Sequence, residues 1–399
     1  MLPRVKIYYE NGALGSVAPS EDGVIGIVAS GTAVADKFAL GTAYLITKLS
    51  DLDALGITEG SADVNKHIYK CVKEIYSIAQ EGSKVWLQAC ANTVTMTDMF
   101  DKTKTYAKTL LDATNGAINI LVSCKQEPTE YTPTIVDGLD GDVYTAMAKA
   151  QELAVWSAEE KYAPLFVILE GRRYAGTASS LRDLHLGANN RVQILVADTE
   201  ASSNTACVGL LAGTYANVPV HRSAARVKNG ALPAIIYIGT NKAELGSPDV
   251  IHDAGFVTAR TFIGKAGYFW TDDKLATAVS DDYALVPRRR VIDKAYRIAY
   301  ATILEEIGDE MPVTDDGKIP AAIAKSIQNK VETAIENTMT VNGELGVDPG
   351  NAKDTGVKCF IDINQNVVST SKFIASLQVK PYGYTKYIDV YLGFQTTSN

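Results

Sequence analysis

The first two thirds of the chain alternate short apolar runs with segments of helical periodicity, and this alternation constrains the fold more than any other feature. Runs such as Val24–Val28 and Leu165–Leu169 are continuous and lie close to glycine, serine or proline, which is typical of strands buried on both faces. Strands separated by helices in this way predict an α/β body whose largely parallel sheet is covered on both sides. The expected strands are 24–28, 43–46, 84–88, 118–122, 165–169 and 192–196, and the expected helices are 65–80, 106–114, 143–161 and 206–215.

The pattern changes after Ala254, and the remainder predicts a different arrangement. Its expected elements are strands at 258–263 and 268–270, helices over 287–307 and from Pro320 onward, and a hairpin of 358–362 with 372–379. Long helices followed by a hairpin predict an α+β domain. We therefore expect a mixed-sheet α/β body over 21–252, of one or two subdomains, and a C-terminal α+β domain over 253–379.

The two ends of the chain are rich in strand-forming residues, whereas termini are ordinarily polar and frayed. Arg4–Tyr9 alternates polar with apolar side chains, and Val379–Phe394 carries an aromatic and β-branched run after a Pro-Tyr-Gly turn. Unpaired strands offer free N–H and C=O groups to a neighbour. Residues 1–20 and 380–399 are therefore expected to be extended β arms, which pair either within one subunit or with other subunits. The arm residues singled out are Val5, Ile7, Tyr8, Tyr9, Tyr387, Ile388, Val390, Tyr391, Leu392 and Phe394.

Composition matters mainly for the classes of protein that it disfavours. The chain of 399 residues is 46% apolar and 21% charged, as expected of a soluble globular protein with a sizeable core. Its 38 basic and 46 acidic residues give a net charge of −8, which argues against a nucleic-acid-coating surface. No run approaches the roughly 18 apolar residues that a membrane span requires. The five cysteines are scattered without a C-x-x-C pair, which favours reduced, buried thiols.

The sequence carries no convincing catalytic, metal or cofactor motif. Gly23–Gly31 is dotted with glycine but lacks G-x-G-x-x-G spacing, and neither a phosphate loop nor a G-x-S-x-G elbow occurs. His67 and Cys71 lie one helical turn apart, yet no second pair completes a metal site. Asp362–Asn366 begins like a calcium loop, but Phe373 stands where the bidentate glutamate belongs. We therefore expect no enzyme activity, no cofactor and no metal ion.

Two charged groups mark the helix expected over 287–307. Arg288–Arg290 open it, although the helix dipole disfavours cations at that end, so an acidic partner surface is one interpretation. The other is a solvated triple that stacks on Tyr283 or pairs with Asp281–Asp282. The acidic residues of 305–316 lie at and beyond the far end of the helix. They form either an ordinary solvated face or one half of a head-to-tail attraction between copies.

Several segments occur in an order that characterises one family. They are Gly23–Val28, Leu45–Gly56, Asp253–Arg260, Gly267–Trp270, Asp282–Ile292, Asn364–Asn366, Lys380–Pro381 and Tyr387–Val390. Together they resemble the tail sheath proteins of contractile phage tails and contractile injection systems, over nearly the whole chain. One departure is at Thr271–Lys274, where that family usually has a glycine-arginine-threonine pattern.

The resemblance implies a structural protomer of a contractile sheath. Sheath subunits stack as hexameric discs in a helix around an inner tube, their terminal arms add strands to neighbouring subunits, and contraction drives the tube through a target envelope. The implied partners are further copies of the chain, the inner tail tube, and the baseplate and tail terminator proteins, with no direct nucleic acid and no membrane insertion. The implied location is a virion tail or contractile particle assembled in the bacterial host cytoplasm. Arg288, Arg289 and Arg290 would then face the tube or a neighbour.

Two other functions stay open at this point. The first is a nucleotide- or metabolite-binding α/β enzyme with a site at the carboxyl ends of the strands. The second is a shell protein that forms closed, non-helical particles. The sequence favours the sheath, since no nucleophile, catalytic base or phosphate loop occurs in a credible context. The predicted fold class is therefore α/β, with a mixed-sheet body, a C-terminal α+β sheath core domain and extended N- and C-terminal β arms.

Overall fold

The structure, a computed structural model, describes residues 22–60, 64–308 and 310–390. Its strands are β1 Ile25–Gly31, β2 Tyr44–Ile46, β3 Val85–Ala91, β4 Ile120–Cys124, β5 Ile135–Val136, β6 Leu139–Asp140, β7 Phe166–Glu170, β8 Ala188–Asn189, β9 Val192–Leu195, β10 Tyr237–Ile238, β11 Asn241–Lys242, β12 Ala259–Phe262, β13 Lys265–Trp270, β14 Ala276–Thr277, β15 Val357–Ile361 and β16 Ala375–Val379. Its α-helices are α1 Ser50–Ala54, α2 Lys66–Tyr76, α3 Met96–Phe100, α4 Ala107–Ala113, α5 Gly141–Glu160, α6 Val208–Ala216, α7 Pro248–Asp253, α8 Val286–Ile303, α9 Ala321–Ile335 and α10 Val367–Thr370.

A six-stranded sheet in the order β2-β3-β1-β4-β7-β9 forms the centre of the body. β1 pairs in parallel with β3 and β4, the β4–β7 and β7–β9 pairs are also parallel, and only the β2–β3 pair of this sheet is antiparallel. Every residue of β1, β4, β7 and β9 is buried, so these strands are covered on both faces. The predicted α/β class with a largely parallel but mixed sheet is confirmed.

Helices α2 and α6 approach closely because glycine lies at their contact. A Cβ atom at Gly209 would lie 2.2 Å from the carbonyl oxygen of Cys71, and one at Gly213 would lie 2.6 Å from that of Ile75. No side chain fits at such distances, so these two positions of α6 require glycine. The backbone of the helix predicted over 65–80 therefore lies close to that of α6.

The C-terminal part builds a second core from α8, α9 and the hairpin of β15 with β16. Lys294 of α8 pairs with Glu344, which follows α9, and Glu306, which follows α8, pairs with Lys330 within α9, so the two helices run antiparallel. The core comprises Val291, Ala295, Ile298, Ala299, Val331, Ile335, Met339, Leu345, Val357 and Cys359, with Val220 from the body. The predicted hairpin is present, with Val357 opposite Val379 and Ile361 opposite Ala375.

Two predicted elements differ in detail from the structure. β2 is an edge strand that pairs on one side, and Leu45 is 42% exposed where a buried strand was expected. α8 ends at Ile303 and a short 3-10 turn follows, which leaves Ile307 outside the core at 74% exposure. In both cases an apolar residue continues the sequence pattern, but no neighbouring layer packs over its side chain.

The segment that follows α7 packs with the body. Phe256, Val257 and Trp270 belong to the same apolar cluster as the six-stranded sheet. Val291 is the first residue of α8 that belongs to the second core. The predicted domain boundary between 252 and 253 stays a prediction. The packing changes from one core to the other between Val286 and Val291.

Candidate functional site

Open α/β sheets bind ligands at the carboxyl ends of their strands where the strand order reverses, which here is beside β1. Protein groups fill this place. The Lys125 ammonium donates to the carbonyl oxygens of Asn92 at 3.0 Å and Val94 at 2.6 Å. The Ser30 hydroxyl, at the end of β1, accepts from Gln126 N at 2.6 Å and donates to Gln126 O at 3.0 Å. The crevice that a ligand-binding protein of this class would use is therefore bridged.

Buried carboxyl groups near this edge have raised pKa values. Burial raises the pKa of Glu170 to about 7 and that of Glu74 to about 8. Glu170 accepts from Lys125 N at 2.8 Å, and Glu74 accepts from the Thr199 hydroxyl at 2.8 Å. The cavity beside Asp198 has a volume of about 10 Å³, room for no more than about one water molecule. The two carboxyl groups with raised pKa values are thus buried and hydrogen-bonded to the protein's own donors.

The remaining candidates for chemistry have structural surroundings. His67 Nε2 lies 2.6 Å from the Ser30 carbonyl oxygen, and Cys71 is a buried free thiol. Asp362 accepts from Asn364 N at 2.9 Å, as in a tight turn. Among the described residues no group of three or more His, Cys, Asp or Glu side chains could hold a metal ion. Within the same ranges no helix combines the length and apolarity needed to cross a bilayer.

Two of the three arginines at the start of α8 lie inside the protein. The Arg289 guanidinium pairs with Asp293 at 3.0 Å and stacks 4.1 Å from the centre of the Tyr283 ring. Arg290 donates to a backbone carbonyl oxygen at 3.3 Å and is 6% exposed. The alternative expectation was a solvated triple that stacks on Tyr283. Arg289 does stack on Tyr283, but Arg289 and Arg290 are buried rather than solvated, and burial keeps both from presenting charge to a partner. Arg288 is half-buried, and a tube- or neighbour-facing role for it stays a prediction.

The β15–β16 hairpin has one buried and one exposed face. Val357, Cys359 and Ile361 of β15 are buried, whereas Lys358 and Phe360 between them are exposed. β16 alternates between half-buried and exposed residues in the same way. The buried face packs on α9, and the other face, where Phe360 is 61% exposed, is turned to solvent.

The outer edge of β16 is open. Lys380 N donates to Gly356 O at 2.8 Å, so the backbone of Lys380 points towards β15. In an antiparallel pair, residues whose backbone groups point towards the partner strand alternate with residues whose backbone groups point away from it. The backbone N–H and C=O groups of Ala375, Leu377 and Val379 therefore point away from β15. No strand of the described chain pairs with them, so this edge is a template for a further strand.

The outer edge of β15 is partly occupied. By the same alternation it presents the backbone groups of Val357, Cys359 and Ile361. Cys359 N donates to the Glu332 carboxylate of α9 at 2.8 Å, and Val357 O accepts from the Thr355 hydroxyl at 3.3 Å. The two edges of one hairpin are thus unequal.

The stretch that follows β16 is fixed to its surroundings by side-chain contacts. The Tyr382 hydroxyl donates to Gly343 O at 3.0 Å, and the Tyr382 ring centre lies 5.0 Å from that of His221. The Tyr384 hydroxyl donates to the His221 carbonyl oxygen at 2.6 Å, and burial raises the pKa of this phenol to about 12. We call residues 380–386 the docked stretch.

Lys386 ends the docked stretch with an ion pair. Its ammonium lies 2.7 Å from both carboxylate oxygens of Asp272, a buried residue that follows β13. Burial alone would raise the pKa of Asp272, but the contacts with His252 and Lys386 lower it to about 2. Asp273 beside it accepts from the Tyr215 hydroxyl at 3.0 Å, and burial together with the Asp272 charge raises the pKa of Asp273 to about 6. One carboxylate therefore holds the C-terminal stretch, and the other joins elements inside the body.

The role of Asp272 is not evident from the sequence. Thr271–Lys274 is recognisable there only as a departure from the sheath pattern. The partner, Lys386, lies 114 positions later in the chain, and other lysines stand as close to the C-terminal strand. Two adjacent acidic residues behind a tryptophan strand were the available signal, but spacing could not select the cation that pairs with them.

Beyond Lys386 the chain is exposed. Tyr387, Ile388 and Val390 are 82%, 76% and 78% exposed, and no strand is formed over the described residues 381–390. The strand expected at Tyr387 is thus not paired within the described chain, and its pairing with another subunit stays a prediction. The other arm residues lie outside the described ranges; they are Val5, Ile7, Tyr8, Tyr9, Tyr391, Leu392 and Phe394.

Sequence comparison matches the chain to the two domain models of one family. The N-terminal domain model of DUF2586 matches residues 2–274, and the C-terminal domain model of the same family matches residues 282–399. No curated protein matches the chain.

Comparison with solved structures points to contractile sheaths. The contracted helical sheath of the anti-feeding prophage matches with a TM-score of 0.63 at 15% identity, over 98% of this chain and 99% of that chain. The contracted PVC sheath complex of an extracellular contractile injection system gives 0.62 at 14% identity, over 98% and 97%. The sheath tail protein of Desulfitobacterium hafniense gives 0.51 at 10% identity, over 94% and 100%. The chain thus has the fold of contractile tail sheath proteins.

Proposed function

The chain belongs to the DUF2586 family, and we propose that it is the structural protomer of a contractile tail sheath. It polymerises helically, as stacked hexameric discs, around an inner tube and contracts to drive that tube through a target envelope. Its other partners are the baseplate and tail terminator proteins. It acts in a virion tail or contractile particle that is assembled in the cytoplasm of a bacterial host.

The extent of the structural likeness supports this proposal. The sheath of the anti-feeding prophage and this chain match over nearly the full length of both, so both parts of the molecule have counterparts. The solved relatives are named as sheath proteins rather than enzymes. The bridged crevice at the carboxyl edge of the six-stranded sheet is consistent with that class, because Lys125 and Ser30 occupy the place of a ligand.

The observation that carries the proposal is that one chain holds both halves of a strand exchange. β16 offers an open edge, and the segment after Lys386 is apolar, exposed and unpaired within the described chain. The docked stretch leads the chain from the hairpin to Asp272 on the body, so the exposed segment starts away from its own β16. Pairing with the β16 edge of another copy satisfies both, as in β-augmentation.

Such a contact builds a polymer. The β16 edge and the segment from Tyr387 are different surfaces, so the contact is heterologous and repeats from copy to copy until the assembly closes or becomes helical. Each main-chain hydrogen bond contributes about 0.5–1.5 kcal/mol net, and several along one strand would hold subunits together while their bodies move. The body-to-body contacts are then free to differ between the extended and contracted states.

A truncation tests the proposal. Deletion of residues 387–399 removes the exposed segment but keeps Lys386 on Asp272. We expect a folded monomer with an unchanged melting temperature that forms no tubes in negative-stain electron micrographs, under conditions where the full chain forms them. Tubes of normal length and number from the truncated chain would contradict the proposal.

The receiving edge is tested by a matched pair of variants. Ala375→Pro removes one outward N–H from β16, whereas Ala375→Val keeps that N–H and adds a β-branched side chain, which suits a strand. We expect shorter or fewer tubes from the proline variant and normal tubes from the valine variant, with both proteins folded by circular dichroism.

A further inference from the structure

The connection between α8 and α9 carries an exposed acidic turn. Thr314 N donates to Lys318 O at 2.9 Å, and Gly317 N donates to Thr314 O at 2.8 Å, which closes a tight turn. Asp315 and Asp316 lie at its tip, and both are exposed. Within the described ranges Asp315 has no ion-pair partner and Asp316 has only Lys318, at 3.3 Å. No lysine or arginine occurs between 304 and 317, and Lys318 offsets one of the two carboxylates, so the turn keeps a net negative charge.

A basic groove opens at the other end of α8. It has a volume of about 800 Å³ and lies between the body and the C-terminal segment, with Leu285 and Pro287 on its border. Arg222, Arg226 and Arg260 line it, and none of them forms an ion pair with a carboxylate of the described chain.

The two carboxylates in the same groove already have partners within the chain. Asp272 pairs with Lys386, and Asp273 accepts from Tyr215, from Ser223 and from Ala224 N at 2.8 Å. Both are buried. A ligand or protein segment that enters the groove would therefore meet mainly the positive charges of the three arginines.

The acidic turn and the basic groove are separated by the length of one helix. α8 has 18 residues, which at a rise of about 1.5 Å per residue span about 27 Å. Neither Asp315 nor Asp316 lines the groove, so within the described chain the two charged surfaces do not meet. In a polymer of identical copies, the turn of one subunit and the groove of the next are opposite in charge.

We propose that the Asp315–Asp316 turn of one copy docks in the arginine-lined groove of a neighbouring copy. This inference rests on the proposed sheath function, since the contact has to repeat along a polymer. It also replaces the internal arginines of α8 by Arg222, Arg226 and Arg260 as the cations that meet an acidic neighbour. Tyr387 and Ile388 form part of the groove wall, so turn docking and strand exchange would occur at one place.

Charge reversal in the full chain tests the contact. One variant carries Arg226→Glu with Arg260→Glu, a second carries Asp315→Lys with Asp316→Lys, and a third carries all four changes. We expect each two-site variant to need on the order of tenfold more protein to form tubes than the wild type, and the four-site variant to regain most of the loss, because its reversed charges attract again. The control for the arginine variant is Lys228→Glu with Lys242→Glu, which changes two exposed cations outside the groove and has the same net charge as that variant. It should assemble normally.

The outcomes separate this contact from the sheath function. Tubes from the wild type and from both two-site variants at the same protein concentration and salt would overturn the contact and leave the sheath function standing. A four-site variant as defective as its parents would overturn it as well.

If the wild type forms no tubes, the sheath function fails, and self-association at low salt is measured by analytical ultracentrifugation. Association that is lost in each two-site variant and restored in the four-site variant would keep the contact; absence of that pattern would overturn it.

Discussion

The edge strands of the six-stranded sheet and of the β15–β16 hairpin differ in how far they are protected from further pairing. At one edge of the sheet β2 is only three residues long, and at the other Val257 covers β9 through Val257 N to Ile194 O at 3.0 Å and Val196 N to Val257 O at 2.9 Å. Among the described residues, no strand pairs with the outer side of the five-residue strand β16. Short or covered edges prevent unwanted pairing, whereas an open edge invites it.

This difference indicates where the chain is complete in itself and where it needs another copy. The strands of the sheet are buried on both faces and most of its stability comes from within one chain. The hairpin buries one face, exposes the other and has an unfilled edge, so part of its pairing capacity is available to a partner. Mutations in the two regions should accordingly affect different measurements.

The largest effect on folding is expected from Leu121→Ala in β4. Leu121 is fully buried at the centre of the sheet, so its truncation should lower the free energy of unfolding by about 2–5 kcal/mol. The matched change in the hairpin is Phe360→Ala, which should alter that free energy by no more than about 0.5 kcal/mol, because this ring is 61% exposed. Urea unfolding of both variants checks the contrast, and equal losses would break it.

The body should also lose stability as pH rises from about 5 to 7. Glu74 and Glu170 have pKa values of about 8 and 7 when folded, against an ordinary value of 4.5. The unfolded chain releases these protons above pH 4.5 while the folded chain keeps them, so rising pH favours unfolding, by at most about 1.4 kcal/mol per group for each pH unit. Melting temperatures measured across this range should fall, and Glu74→Gln should flatten the decline. A variant profile as steep as that of the wild type would show that Glu74 is not its source.

A smaller effect is expected where the docked stretch meets the body. Asp272→Asn removes the charge that holds Lys386 and should cost about 1.5 kcal/mol of folding free energy and increase amide hydrogen exchange over residues 380–386. The wild-type contribution is present above pH 3.8 and is lost as pH falls towards 2, since the folded pKa of Asp272 is lowered to about 2. Asp253→Asn, an exposed aspartate beside the same histidine, is the control and should change neither quantity. Unchanged exchange in the Asp272 variant would show that the tyrosine contacts alone fix the stretch.

The smallest effect is expected at the capped edge of the hairpin. Glu332→Ala leaves Cys359 N without its acceptor and should cost about 1 kcal/mol, whereas Glu332→Gln keeps an acceptor oxygen and should cost less. The amide of Cys359 should exchange faster in the alanine variant alone. Equal exchange in the wild type and both variants would show that the edges of β15 and β16 do not differ in the way described.

Much of the fold could be predicted from the sequence because burial imposes a local period. The apolar runs of β1, β4, β7 and β9 and the stripe on α9 need no knowledge of the partner to be recognised. The order of segments was also sufficient to indicate a sheath-like fold. The ends of elements were less certain, as Ile307 shows, because an apolar residue continues the pattern whether or not a neighbouring layer reaches it.

Residue patterns were thus sufficient to predict the α/β body, the helical pair, the hairpin and the lack of a recognisable catalytic motif. Three further features became visible only in the fold: Arg289 and Arg290 are internal, Asp272 holds Lys386, and the β16 edge is unpaired within the described chain while Glu332 caps that of β15. The two groups of features differ in the range of the interactions behind them. Periodic burial is written into neighbouring residues, whereas ion pairs and strand edges depend on which distant groups the fold brings within hydrogen-bond distance.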